Sequence, residues 1–220
     1  MIRLENLSKT FALEGRRKVL FQNVTLDFPD GASVGLLGRN GAGKSTLLRM
    51  IAGTMDPSAG RIISTGRISW PVGFAGSFHP ELTGIQNTRF IGRIYGVDTD
   101  ELADFVEEFA ELGVHFRLPV KTYSSGMRSR LAFGVSMGIP FDTYLVDEVT
   151  AVGDASFKAR SSALFQARLE TAGAVVVSHT MGLLRQICDA GVVIEKGRLT
   201  YHDTIDAAIE HHIRNMSAAA

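Results

Sequence analysis

The sequence predicts an α/β domain, and three observations carry that expectation. Short, continuously apolar runs recur along the chain: Ser33 to Leu37, Tyr144-Leu145-Val146, Ala174 to Val177 and Val192-Val193-Ile194. Segments of helical period separate the later ones, and strands that are apolar throughout belong to a parallel sheet covered on both faces. Between the first run and the second, apolar residues switch to helical spacing, which reads as a helical subdomain inserted into the α/β body.

The elements follow in order. From Val24 to Phe28, Val24, Leu26 and Phe28 alternate with Thr25 and Asp27, the period of a half-buried strand. Pro29-Asp30-Gly31 is a turn, Ser33 to Leu37 a short buried strand, and a glycine-rich loop leads into a helix from Lys44 to about Ile51. Asp56-Pro57-Ser58-Ala59-Gly60 breaks the chain, and Arg61 to Ser69 reads as a further short strand pair. Leu102, Phe105, Val106, Phe109 and Leu112 then fall at helical spacing, with Asp98 and Glu101 placed for a capping box. The stretch from about Gly84 to Gly138 is therefore expected to be mainly helical, within a single domain spanning residues 1–220. Helices near Ala155 to Leu169 and Met181 to Ile187 separate the last strands, and Ser217-Ala218-Ala219-Ala220 is expected to fray.

Composition narrows the function classes. The chain has 220 residues, 45% of them apolar and 21% charged, an ordinary globular balance with room for a full core. Lys plus Arg and Asp plus Glu stand at 23 each, so no net basic field gathers a nucleic-acid backbone and no nucleic-acid partner is expected. The lone cysteine, Cys188, has Leu183, Leu184 and Ile187 for neighbours and reads as a small apolar core residue in a reducing compartment. The start, Met1-Ile2-Arg3-Leu4-Glu5-Asn6, turns polar at once, so no signal peptide is expected. Apolar runs such as Ala174 to Val177 fall far short of the roughly 20 residues that cross a bilayer, so any membrane role is expected to run through a partner.

The sharpest motif is Gly38-Arg39-Asn40-Gly41-Ala42-Gly43-Lys44-Ser45, a complete G-x-x-x-x-G-K-[ST] phosphate loop followed by Thr46. Its glycines let successive backbone N–H groups turn inward on phosphate oxygens, and the helix beginning at Lys44 adds its positive dipole end. Lys44 is expected to reach the β- and γ-phosphates of ATP, and the Ser45 hydroxyl to ligate Mg²⁺. The apolar strand Phe141 to Val146 ends in Asp147-Glu148. Paired acids there are costly unless something cationic meets them. Asp147 is expected to hold Mg²⁺, and Glu148 to act as general base on the attacking water.

Tyr123-Ser124-Ser125-Gly126-Met127 lies shortly before that strand, and here the chain resembles the ATP-binding cassette (ABC) family, whose signature has the form Leu-Ser-Gly-Gly-Gln. Ser124 and Gly126 match it, while Tyr123, Ser125 and Met127 depart from it. The resemblance covers about Met1 to Ile213 and implies an ABC-type nucleotide-binding domain with a mixed sheet core. It implies that Ser124, Ser125 and Gly126 contact a γ-phosphate and that His179, after the strand Ala174 to Val177, is the switch histidine. Ala151-Val152-Gly153-Asp154 is similar to the family's D-loop with Asp154 retained. Phe11 stands where the family stacks an aromatic on adenine, though it equally suits a core position. Two copies are implied to pair head-to-tail, each γ-phosphate held between one copy's phosphate loop and the other's Ser124 to Gly126. The family's usual loop Gln is missing from Gly73 to Gly84, where Gly73, Ser77 or His79 could stand in its place.

Three stretches resemble one branch of the family, the ATP-binding subunits of polysaccharide exporters: Ile68 to Gly73 with Phe78 to Gly84, Lys121 to Arg130, and Val146 to Asp154. The short chain suits capsular polysaccharide export, since O-antigen relatives often append a carbohydrate-binding domain; teichoic-acid exporters are near neighbours. The resemblance implies membrane permease subunits as partners and a peripheral place on the cytoplasmic face of the cytoplasmic membrane. A cytosolic ATP-driven dimerisation switch is the other reading, disfavoured by the shortness of the helical insert. His202, His211 and His212 are expected to be solvated surface, because adjacent His211 and His212 on a helix point apart and chelate poorly.

Overall fold

The computed structural model describes residues 1–13, 16–73, 76, 78–148 and 154–217, the side chains of Leu13 and Arg16 aside. In chain order these form β1 (Ile2–Leu13), β2 (Arg16–Phe28), β3 (Ser33–Gly38), α1 (Lys44–Ile51), β4 (Ala59–Ser64), β5 (Ile68–Pro71), α2 (Gly84–Tyr95), α3 (Thr99–Ala110), α4 (Ser125–Gly138), β6 (Thr143–Asp147), α5 (Ala155–Leu169), β7 (Gly173–Val177), α6 (Met181–Ile187), β8 (Ala190–Glu195), β9 (Arg198–His202) and α7 (Ile205–Ser217). Short 3₁₀ turns occupy Gly113–Arg117 and Val120–Thr122. The chain divides into two compact units, one of Met1–Pro71, Phe141–Glu148 and Leu169–Ala220, the other of Val72–Pro140 and Val149–Arg168.

The first unit holds both sheets. Six strands lie in the order β5-β6-β7-β3-β8-β9, parallel except for the last pair. β3 and β7 are buried at every position, which is why they read as unbroken apolar runs. Side chains alternate across β3: Val34 and Leu36 join the core formed with Leu47, Leu48 and Ile51 of α1 and with Leu4, Phe21 and Phe28 of β1 and β2. Gly35 faces the other way, where a Cβ would stand 2.8 Å from Ile205 and 3.4 Å from Leu184, so the missing side chain lets α6 and α7 close onto the sheet.

The second sheet has the order β2-β1-β4 and is antiparallel. Two sequence expectations are corrected here. β2 starts at Arg16 rather than Val24. The apparent strand pair in Arg61 to Ser69 is no pair: β4 joins β1 in the small sheet, while β5 joins β6 in the large one. β9 is antiparallel to β8 through Lys196-Gly197, both at positive φ (47° and 78°), the backbone of a two-residue hairpin.

The histidine expectation also changes. His212 is buried, and the half-buried His202 and His211, brought together by β9 and α7, share a 2.8 Å Nε2···Nδ1 contact. Among the described residues no group of three or more His, Cys, Asp or Glu could hold a metal ion. Nor, among them, is any helix long and apolar enough to cross a membrane. Cys188, just past α6, is buried as expected.

The second unit is helical, and it reaches beyond residues 84–138 to take in α5. Asp98 caps α3 by accepting from the Asp100 and Glu101 N–H groups, while the reciprocal capping box sits one helix earlier, between Thr83 and Gln86. Phe109 lies 5.9 Å from Phe105, 5.8 Å from Phe133 and 5.3 Å from Phe157 between ring centroids, and through this cluster α3, α4 and α5 share one core.

Candidate functional site

The phosphate loop joins β3 to α1 in the first unit. Gly41 (φ 78°) and Gly43 (φ 109°) hold left-handed backbone that a side chain disfavours, and a Cβ on Gly43 would lie 2.6 Å from the Phe21 ring. Gly43 is the N-cap of α1 and no side chain caps it, so the first-turn N–H groups of the helix are left for an incoming acceptor. Lys44 is 9% exposed, and its ammonium donates to the carbonyls of Gly38 (2.7 Å) and Arg39 (3.2 Å). Burial lowers the Lys44 pKa, opposed by the charges of Glu148 and Asp147. A buried ammonium resting on neutral carbonyls is a seat for an anion.

The acids arrive on β6. Asp147 pairs in register with Val177 of β7, and its Oδ1 accepts from the Ser45 hydroxyl at 3.2 Å. Two hard oxygen donors thus face each other at the loop, a set that suits Mg²⁺. Glu148, the next residue, takes φ 50° and donates its N–H to the Val177 carbonyl at 2.9 Å. That kink ends the strand and turns the carboxylate toward the end of β7, where His179 Nε2 lies 2.7 Å from Glu148 Oε1. Both side chains are more than half exposed, so water reaches them.

The loop, Glu148 and His179 line one open cleft of about 500 Å³, while Asp147 is not part of its lining and meets the site through the Ser45 hydroxyl. Phe11, Asn40, Gly41, Gly43, Lys44, Ser45, Thr46, Glu148 and His179 all face it, together with Lys18, Leu20 and Val177, which sequence reasoning missed. Lys18 is the cross-strand partner of Phe11 in the β1–β2 hairpin, a register that becomes visible only once β2 is extended back to Arg16. Phe11 is half-exposed, and Lys9 sits with its ammonium 5.2 Å from the ring centroid.

Ser124, Ser125, Gly126 and Asp154 lie in the second unit. Ser124 is the N-cap of α4, its hydroxyl accepting from the Met127 N–H at 3.2 Å; Ser124 and Ser125 are exposed. Tyr123, where the family carries Leu, is buried and donates its hydroxyl to the His115 carbonyl at 2.6 Å. Asp154 caps the start of α5 through the Phe157 N–H (2.9 Å) and takes the Arg130 guanidinium at 2.7 Å; the Phe157 N–H and Arg130 hold its carboxyl below the usual range. Residues 151–153 of the expected D-loop and Ser77 lie outside the described residues. Gly73 is at φ 80°, and His79 is tied through its backbone to the buried Asn87.

A phosphate loop, an acid pair at a strand end and an adjacent histidine on a mostly parallel sheet define a nucleotide-triphosphate hydrolase. The ABC transporter family model matches residues 21–151. The chain belongs to that family, as an ATP-binding ATPase subunit. It is 47% identical over 215 residues to the polysialic acid transport ATP-binding protein KpsT of Escherichia coli, covering 96% of both chains. It is 44% identical over 213 residues to the capsule polysaccharide export ATP-binding protein CtrD of Neisseria meningitidis serogroup B, covering 96% of this chain and 98% of that one. The fold matches the dimeric post-hydrolysis structure of the ATP-binding cassette MJ0796 with a TM-score of 0.77 at 20% identity, covering 93% of this chain and 99% of that one.

Proposed function

We propose that the chain hydrolyses ATP to energise export of a polysaccharide, a capsular one, through a separate membrane-spanning permease. It works as a homodimer on the cytoplasmic face of the cytoplasmic membrane. The observation that carries the substrate class is the likeness, over nearly the whole chain, to two proteins named for polysialic acid and capsule polysaccharide transport.

The chemistry follows from the first unit's cleft. Asn40 to Thr46 cradle the phosphates with backbone N–H groups, Lys44 meets the β- and γ-phosphates, and Phe11 stacks on the base. Ser45 and Asp147 are the oxygen donors that would hold Mg²⁺, which when bound neutralises phosphate charge. Glu148 takes the proton of the attacking water, and His179, held against it at 2.7 Å, orients that carboxylate and meets the γ-phosphate.

Gly126 supports the head-to-tail pairing. Glycine weakens a helix by up to about 1 kcal/mol relative to alanine. Among the described residues nothing requires it here, since a Cβ on Gly126 would meet only the Ser124 Oγ, at 3.8 Å. The bare backbone beside an exposed serine cap suits close approach by a group from outside the chain, and the γ-phosphate on a second copy is that group. The whole reading is tested in the cell. Glu148→Gln at the native locus is expected to remove polysaccharide from the surface while it accumulates inside; an undiminished surface layer would contradict it.

A further inference from the structure

We propose that Lys18 is a nucleotide-binding residue whose ammonium pairs with the phosphate nearest the ribose; this rests on the cleft above being the ATP site. Lys18 lies before the residues matched by the family model, which begin at Phe21. The hairpin sets its position: Lys18 and Phe11 are directly opposed on antiparallel strands, and both line the cleft. Opposed side chains project to the same face with Cβ atoms roughly 5 Å apart. A base stacked on Phe11 and phosphates held by Asn40 to Thr46 place the ribose and its phosphate between these two ends. That is the span a flexible four-carbon stem from Lys18 covers.

Two other lysines near the cleft already meet carbonyl oxygens. Lys44 rests on the Gly38 and Arg39 carbonyls, and Lys9 donates to the Asp56 carbonyl at 2.6 Å while covering Phe11. Lys18 is exposed and, among the described residues, its ammonium has no hydrogen-bond or ion-pair partner. A free, solvated ammonium on the wall of an anion site lowers the energy of the bound phosphate through water, an effect that salt screens.

Competition against a fluorescent ATP analogue, with the full chain and without Mg²⁺, tests this for adenosine, AMP, ADP and ATP at about 50 mM and 500 mM salt. Lys18→Gln is expected to weaken AMP, ADP and ATP alike by about three- to tenfold at low salt. Adenosine should be unaffected, the loss should shrink at high salt, and Lys18→Arg should restore binding. Unchanged affinities, or an equal loss for adenosine, would overturn the assignment, as would a loss confined to ATP. Lys44→Ala in the same titrations keeps the two readings apart: binding lost there with Lys18→Gln unaffected removes Lys18 alone, whereas full binding in Lys44→Ala removes the cleft as the ATP site.

Discussion

At the residue scale, the site is a set of charges whose surroundings decide their task. Lys44 is buried with carbonyls for company, while Glu148 and His179 are exposed and face each other, so the buried ammonium lies in the loop and the carboxylate and imidazole lie where water reaches them. Cys188 shows the opposite case of a group made inert by packing. Burial, with the Asp189 charge adding to it, pushes its thiol up from 9.0 to about 12. A raised pKa in the folded state means the unfolded chain gives up that proton first. The thiol's contribution to stability is therefore complete below pH 9 and is lost as pH rises from there toward 12. At pH 8 a disulfide reagent should label Cys188 no faster than the chain opens; rapid stoichiometric labelling of the native protein would show that the thiol is not packed as described.

At the element scale, helix ends and strand ends hold the chemistry. α1 begins at an uncapped glycine and α4 at a serine whose hydroxyl serves its own helix. Gly126→Ala separates stability from function at the second of these ends. Because a Cβ there meets, among the described residues, only the Ser124 Oγ at an ordinary 3.8 Å, the variant should melt at or above the wild-type temperature, by up to about 1 kcal/mol of added helix stability. Its ATP turnover should nonetheless fall; a variant with unchanged turnover would show that nothing approaches α4 closely. Two of these ends were legible in the sequence because their signals are local, the glycine spacing of the loop and the acids after an apolar strand; Ser124 stood out only through its resemblance to the ABC signature. β1 was not legible, since Asn6 at φ 49° and the register shifts along Leu4 to Thr10 break its alternation, and Lys18 was lost with the early part of β2 that pairs with it. The buried His212 was missed for a related reason: burial on α7 depends on β8 and β9, one of which, β9, is a five-residue strand with only Leu199 and Tyr201 as apolar positions.

At the scale of the whole molecule, the phosphate loop, acids and histidine fall in one unit and the serine-capped helix in the other, and on the proposed reading ATP needs both. Static light scattering follows the assembly that this division implies. Glu148→Gln should take a dimer's mass with Mg²⁺ and ATP and a monomer's mass without, and Ser124→Arg added to it should stay monomeric; a Glu148→Gln protein that remains monomeric at saturating ATP would contradict the head-to-tail pairing. The central claim is that Glu148 drives the water that cleaves ATP. Its most direct test is steady-state ATP turnover of the wild type and Glu148→Gln side by side. The predicted loss is about 10²–10⁴-fold with nucleotide binding retained, and turnover by Glu148→Gln equal to that of the wild type would contradict the account.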